Sequence, residues 1–324
     1  NHNNNVNNTK TILYALYRSA DGFEEAVNKC KEQGNINNDD EIKLQRVDIA
    51  NETQVMQFMA SHQESPFDLC LHLAAMASPK ACHESAELAR SINIPTHLFR
   101  CLKDCNVPIV ALSTDQVYCG TKAPYEDAEE DISQPVNVYA QTKADMERHL
   151  MGSMDDDHPP VICLRSSIIL GPLGPYGCNV HSTFLHFCNS RNGVKDPTTF
   201  YKDEIRSVIG VKDVVKILYY FMNRHTFENN DEGKLMNNGQ RVYNMGGPQG
   251  VSRMEMALAV AKEQNFSSEN FVSAQKASLH ESSDTDVGAA VKSPLNITMN
   301  SSQLEKLVGF KFQGLEEVVK ATFA

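Results

Sequence analysis

The chain has 324 residues, enough to bury a large core as one big α/β unit or as a nucleotide-binding domain with a smaller partner lobe. With 30 Lys and Arg against 41 Asp and Glu the net charge is −11, which repels polyanionic nucleic acid and anionic membrane surfaces, so neither a nucleic-acid nor a membrane partner is expected. No stretch nears the roughly 20 apolar residues of a bilayer span, and the polar start is unlike a signal peptide; the expected location is the cytoplasm, with the nine cysteines reduced.

In chain order, residues 1–10 (NHNNNVNNTK) are a low-complexity, Asn-rich segment with no apolar face to bury. The apolar run TILYALY then predicts a strand, followed by a helix over about 21–32. IKLQRVD precedes a helix over about 52–62, and FDLCLHLAA precedes a helix over about 84–104. VPIVALS leads into a loop to residue 134, a helix over about 136–151 and the strand VICLRSS. Such βαβ alternation predicts a Rossmann-like, doubly wound parallel sheet, covered on both faces, over residues 11–172, with later segments returning to it. From GPLGPYG onward the pattern is irregular, with helices near 181–192, 211–223 and 252–264, a polar loop around 280–290 and a closing helix from Leu315. Residues 173–324 are therefore read as mainly a smaller C-terminal α/β substrate-binding lobe. Cys101 and Cys105 have helical spacing in an apolar-periodic segment and no second Cys/His pair at zinc-finger spacing, so they read as core, and no metal site is expected.

The strand ending in Ser113, Thr114 and Asp115 places hydroxyls at the carboxyl edge of a parallel sheet, where ligands bind in doubly wound folds. Twenty-five residues after Thr114, Tyr139 and Lys143 stand at i and i+4, on one helical face. A lysine ammonium near a phenol favours the phenolate and lets the tyrosine exchange a proton with a carbonyl or alcohol oxygen near neutral pH. Thr114 is placed to hydrogen-bond the same oxygen.

The stretch from His72 to Pro172, with HLAAMASP, NIP, LSTDQVYCGTKAPY, PVNVYAQTK and LRSSIILGP, resembles the dTDP-4-dehydrorhamnose reductase family of extended short-chain dehydrogenase/reductases. The likeness continues through DEIRSVIGVKDVV, YNMGGPQGVSRMEMA and SPLNITMNSSQLEKLVGF, and the same family includes the regulatory beta subunit of methionine adenosyltransferase. The resemblance implies that Thr114, Tyr139 and Lys143 are the catalytic set, with Tyr139 as the acid while hydride comes from NADP(H) or NAD(H). It implies that Lys143 also holds the nicotinamide ribose, that Leu73, Ala74 and Ala75 line the cofactor, and that Asn93 matches a nearby helix position. Asp48 and Ile49 match the pair beside the adenine, with a strand-end cap and plain core as their alternatives. Arg206 resembles the arginine that grips a nucleotide-sugar phosphate, a task suited to its planar fork; a salt bridge to Asp203 or Asp213 is the alternative. Asp115 and Gln116 follow into the substrate cleft, where a tyrosine is common in place of Gln116.

One part of the pattern departs. A dinucleotide fold needs a glycine-rich turn after its first strand, so that backbone and helix N-terminus can approach the pyrophosphate. The only glycines before residue 120 are Gly22 and Gly34, so the first strand and its glycine-rich turn are missing from the pattern. Either TILYALYRS is the second strand of the fold, with Arg18 where an arginine meets the 2′-phosphate of NADP, or it is the first strand with its fingerprint lost. Two functions remain open. One is an NADP(H)-linked reductase of a sugar-nucleotide carbonyl. The other is a non-catalytic regulatory subunit partnering a methionine adenosyltransferase catalytic subunit, or a truncated inactive homologue.

Overall fold

The structure is a computed structural model and describes residues 11–19, 22–32, 41–63, 67–126, 132, 134–152, 159–174, 183–222, 242–276 and 291–324. Four parallel strands form the central sheet: β3 (Cys70–His72), β4 (Ile109–Thr114), β5 (Val161–Ser166) and β10 (Val242–Met245), in the order β10-β5-β4-β3. Side chains alternate between its two faces, as a pleated strand requires. Ile109, Ala111, Val161 and Cys163 point to one core, packed under α2 (Glu52–Ala60), α5 (Thr96–Asp104) and α6 (Val138–Gly152). Val110, Ile162, Leu164, Tyr243 and Met245 point to the other, under α8 (Val211–Met222) and α10 (Ser302–Val308). Strands buried on both faces read as continuous apolar runs, which is why VPIVAL and VICL are legible.

The amino-terminal pair stands apart. Strand β1 (Ile12–Tyr17) pairs in parallel with β2 (Glu41–Arg46), and α1 (Phe23–Glu32) crosses between them. Among the described residues no ladder joins β1 to β3. In a 3-2-1-4-5-6 order a first strand neighbours the fourth, so this arrangement matches the register in which TILYALYRS is the second strand. Side chains make the junction instead: Tyr14 of β1 meets Phe67, just before β3, with ring centroids 5.3 Å apart, and Val55, Phe58 and Met59 of α2 join the core under α5. Ile12 and Leu13 stay 44% and 41% exposed, so this pair of strands is only half covered.

The helix expected over 84–104 is two, α4 (Ala86–Asn93) and α5, with a further short helix, α3 (Pro79–Glu84), just before them. Ile94 (φ −128°, ψ 70°) precedes Pro95, whose ring disfavours helical geometry in the residue before it. Ser85 (φ −141°, ψ 64°) makes the other break. The helix expected near 181–192 spans α7 (Phe184–Asn189), and 181–182 lie outside the described residues, as does the polar loop 280–290.

A second core contains Leu185, Phe200, Val251, Met256, Val260, Leu315 and Val318, from α7, β7 (Thr198–Tyr201), β11 (Val251–Ser252), α9 (Arg253–Glu263) and α11 (Leu315–Phe323). The described elements between α7 and α11 also include β8 (Ile205–Arg206), β9 (Ile209–Gly210) and β12 (Phe271–Ala274); β6 (Ile169–Leu170) precedes α7 and pairs with β9. Although they lie beyond residue 172, α8, β10 and α10 belong with the central sheet: β10 is one of its strands and the two helices cover one of its faces. Residues 294–301 carry Ile297 and Met299, which pack with Val117, Tyr118 and Tyr125. Ile205 N–H donates to Leu295 O at 2.7 Å, Tyr125 N–H to Thr298 O at 2.8 Å and Gly246 N–H to Ser301 Oγ at 2.9 Å. Gly247 permits the closest approach beside them, because a Cβ there would lie 2.3 Å from Val208 O.

Candidate active site

Thr114 ends β4 at the carboxyl edge of the sheet, and Tyr139 and Lys143 lie on the buried face of α6. Asn137 caps that helix from its side chain, accepting the Ala140 N–H at 2.9 Å. The Tyr139 phenol is near enough to the Thr114 hydroxyl and the Asp115 carboxylate for both to act on its ionisation. Lys143 lies one turn further along the helix and only 2% exposed, with Nζ 3.7 Å from Met146 Sδ. The ammonium expected to depress the phenol is not what governs it: burial comes first and pushes Tyr139 up to about 12. Burial likewise pulls Lys143 down to about 8. His72, at the end of β3, is held to about 3 by burial and then by the Lys143 charge.

Asp115 is buried, accepts Ser167 Oγ at 2.8 Å, and has its carboxyl raised by burial. Gln116 Oε1 accepts Asn137 Nδ2 at 3.1 Å, which ties it to the entrance of α6. A groove opens there, lined by His83, Pro135, Asn137, Gln141, Val291 and Lys292. Leu73 and Ala74 are exposed, and Ala75 half-buried, in the loop leaving β3. Asn93, fully buried, is a clamp for that loop: its Oδ1 accepts Met76 N–H at 2.7 Å while Nδ2 donates to Thr142 Oγ1 of α6 at 2.8 Å.

Of the remaining sequence candidates, Arg206 lies within electrostatic reach of the Asp115 carboxylate, and the others lie elsewhere. Arg18 follows β1 on the exposed side, its carbonyl accepting from Arg46 Nε at 3.2 Å. Asp48 closes the end of β2, with Oδ1 accepting Ala50 N–H at 3.0 Å, and Ile49 packs on the core beneath α2. Arg206 is 2% exposed and its guanidinium is spent on the fold. It donates to the carbonyls of Ile205, Leu295 and Pro294 at 2.8–2.9 Å, to Ser293 Oγ at 3.0 Å, and pairs with Glu204 at 3.4 Å. Its ion-pair partner is thus Glu204, rather than Asp203 or Asp213, and the Asp115 carboxylate also acts on it. Glu204 is the hub of this cluster, also pairing with Arg253 at 2.9 Å and Lys276 at 2.5 Å.

Sequence reasoning missed a buried polar network below the site. Arg165 and Glu147 pair at 2.8 Å, both 2% exposed; Ser113 Oγ donates to Glu147 Oε1 at 2.5 Å, and Arg165 Nη1 to Tyr118 Oη at 2.9 Å. The signal was present in VICLRSS, an otherwise apolar strand interrupted by an arginine, and in a glutamate four residues after Lys143. Among the described residues no three His, Cys, Asp or Glu side chains cluster as metal ligands, and the described cysteines are free.

This architecture has counterparts among known proteins. The sequence profile described as the RmlD substrate binding domain matches residues 12–324. The chain belongs to that family. The beta subunit of methionine adenosyltransferase 2 from Xenopus laevis is 24% identical over 242 residues, which cover 73% of this chain and 64% of that protein. The solved dTDP-4-dehydrorhamnose reductase of Bacillus anthracis, in complex with NADP, superposes with a TM-score of 0.71 at 18% identity, covering 97% of this chain and 99% of the other. The UDP-glucose 4-epimerase of Bifidobacterium longum, in complex with NAD+ and UDP, has a TM-score of 0.71 at 16% identity, over 95% of this chain and 88% of that one. These superpositions establish a Rossmann-like α/β fold.

Proposed function

We propose that the chain is a cytoplasmic, NADP(H)-dependent oxidoreductase of the dTDP-4-dehydrorhamnose reductase type, acting on the carbonyl of a sugar nucleotide. The observation that carries this reading is the nearness of the Thr114 hydroxyl and the Tyr139 phenol at the carboxyl edge of the sheet, with Lys143 one turn along the same helix face. A tyrosine raised to about 12 is protonated throughout the neutral range, so Tyr139 is the proton donor to the substrate oxygen. Thr114 hydrogen-bonds the same oxygen and aligns it. Lys143, at about 8, carries its charge through most of that range and favours the phenolate left after transfer. A nicotinamide bound beside these residues would supply the hydride. The residues fit that group at its reactive end, where the ends of the Leu73–Ala75 loop are near Lys143, through His72, and Tyr139, through Met76. At the phosphate end they do not: among the described residues no glycine-rich turn follows a strand beside β3.

That mismatch, with the likeness to the adenosyltransferase beta subunit, favours a second reading: a regulatory chain that binds a methionine adenosyltransferase catalytic subunit. Adding NADPH separates the two, since a ligand bound only by the native state raises its melting temperature. Stabilisation together with reduction of a dTDP-4-keto sugar supports the enzyme, and Tyr139→Phe should then lower kcat by about 10²- to 10⁴-fold with cofactor affinity retained. No stabilisation at millimolar NADPH, with co-purification of the catalytic subunit, decides for the regulatory chain.

A further inference from the structure

The groove at the entrance of α6 encloses about 460 Å³, the size of a small-molecule site, between α3, the first turn of α6 and residues 291–292. Pro135, Val138 and Val291 make its apolar wall, and its polar groups include His83, Gln141 and Lys292. Val138 packs in the same cluster as its neighbour Tyr139, so the groove borders the Tyr139 site.

The groove is opposite in charge to the chain around it. The chain carries a net −11, yet none of the described lining residues is acidic, and Lys292 puts an ammonium on the exposed rim. Among the described residues, neither the Lys292 nor the His83 side chain takes part in a hydrogen bond or an ion pair. The acids close by are already matched. Glu84, next to His83, pairs with Lys80 at 3.8 Å. Asp145, which accepts from Gln141 Nε2 at 2.8 Å, is held by Arg90 and Arg148, each at 2.8 Å.

The base of Lys292 is fixed. Its carbonyl accepts Asn137 Nδ2 at 3.0 Å, and Asn137 is itself bonded to Gln116 and to the Ala140 N–H. Arg206 grips the three residues that follow, donating to Ser293 Oγ at 3.0 Å and to the Pro294 and Leu295 carbonyls at 2.8 and 2.9 Å. A side chain rooted on such a backbone has less freedom to lose when its ammonium meets an anion.

In a nucleotide sugar with a 4-keto group, the diphosphate sits on the anomeric carbon, across the ring from the reacting carbon. The substituent at the fifth carbon lies next to the reacting carbon, and so toward a groove that borders Tyr139. We propose that this groove takes a carboxylate at that position, with Lys292 as its ion-pair partner and His83 as a second polar contact, so that the substrate is a sugar acid rather than a neutral sugar. This rests on the reading of the Tyr139 site as one that reduces a sugar-nucleotide carbonyl.

The test is equilibrium binding, without turnover. The full chain is titrated calorimetrically with dTDP-glucuronate and with dTDP-glucose, which differ only at the sixth carbon, carboxylate against hydroxymethyl. The parent should bind the glucuronate about tenfold more tightly at low salt, as one charge-assisted hydrogen bond allows. The preference should shrink as salt is raised, because the pair lies at the rim. Lys292→Met should abolish the preference and Lys292→Glu should invert it; the position is exposed, so neither change disturbs the core. Equal affinity in the parent, or a preference that survives in Lys292→Met, overturns the proposal while leaving a nucleotide-sugar site in place. Failure of both ligands to bind overturns this inference and the reductase reading together. A preference that depends on Lys292, in a protein that reduces no keto sugar, leaves the inference standing and removes the reductase reading alone.

Discussion

Replacing Lys143 by Met is expected to stabilise the folded chain near neutral pH. Burial moves the Lys143 ammonium from 10.5 down to about 8, and at about 1.4 kcal/mol per pH unit this displacement is a penalty of about 3 kcal/mol on the charged folded form. The sign follows from linkage. Between pH 8 and 10.5 the unfolded chain binds a proton that the folded chain has released, so parental stability rises through that window, and the penalty is present in full below it. Methionine is a straight-chain residue that fits the stem's path past Met146 without a charge to desolvate. Urea unfolding of both proteins from pH 7 to 10 reads the effect: the variant should lead by about 3 kcal/mol at pH 7, and the gap should close as pH 10 is approached. A gap that is constant with pH, or a variant less stable at pH 7, would refute the assignment of the burial penalty to this side chain.

Glu204 behaves in the opposite sense. Burial alone would raise its carboxyl, but Arg253, Arg206 and Lys276 hold it at about 2, so it contributes stability above its unfolded value of 4.5 that is lost as pH falls from 4.5 toward 2. Glu204→Gln should flatten that part of the acid-unfolding curve and cost about 3–5 kcal/mol at pH 7 by stranding buried cations. Gly247→Ala drives a Cβ to within 2.3 Å of Val208 O and should cost about 1–3 kcal/mol in thermal or urea unfolding; an unchanged midpoint would show that the backbone there yields. Amide exchange followed by mass spectrometry should show β1 and β2 exchanging well before β4 and β5, since their ladder has no continuation and its outer residues are half exposed. Equal protection of all four strands would contradict a divided sheet.

The parallel sheet was legible because VPIVAL and VICL are buried on both faces and carry almost nothing but apolar side chains. The Thr114, Tyr139 and Lys143 set was legible because strand-end hydroxyls and an i, i+4 pair are spacing statements. The helix breaks at Ser85 and Ile94 were written only in part: Ile94 precedes a proline, while Ser85 bears no breaker signal. Arg206 shows the limit of motif reading. Several of its hydrogen-bond partners come from Ser293, Pro294 and Leu295, nearly ninety residues away, and local sequence holds no record of such contacts. The same is true of Ser113 and Glu147, which belong to one hydrogen bond but to different elements.

Residues 294–301 tack three parts of the molecule to one another: the loop after β4 at Tyr125, strand β8 at Ile205, and the end of β10 at Gly246. One eight-residue run thus couples three elements that are far apart in the chain, and substitutions that remove one attachment should loosen the other two together.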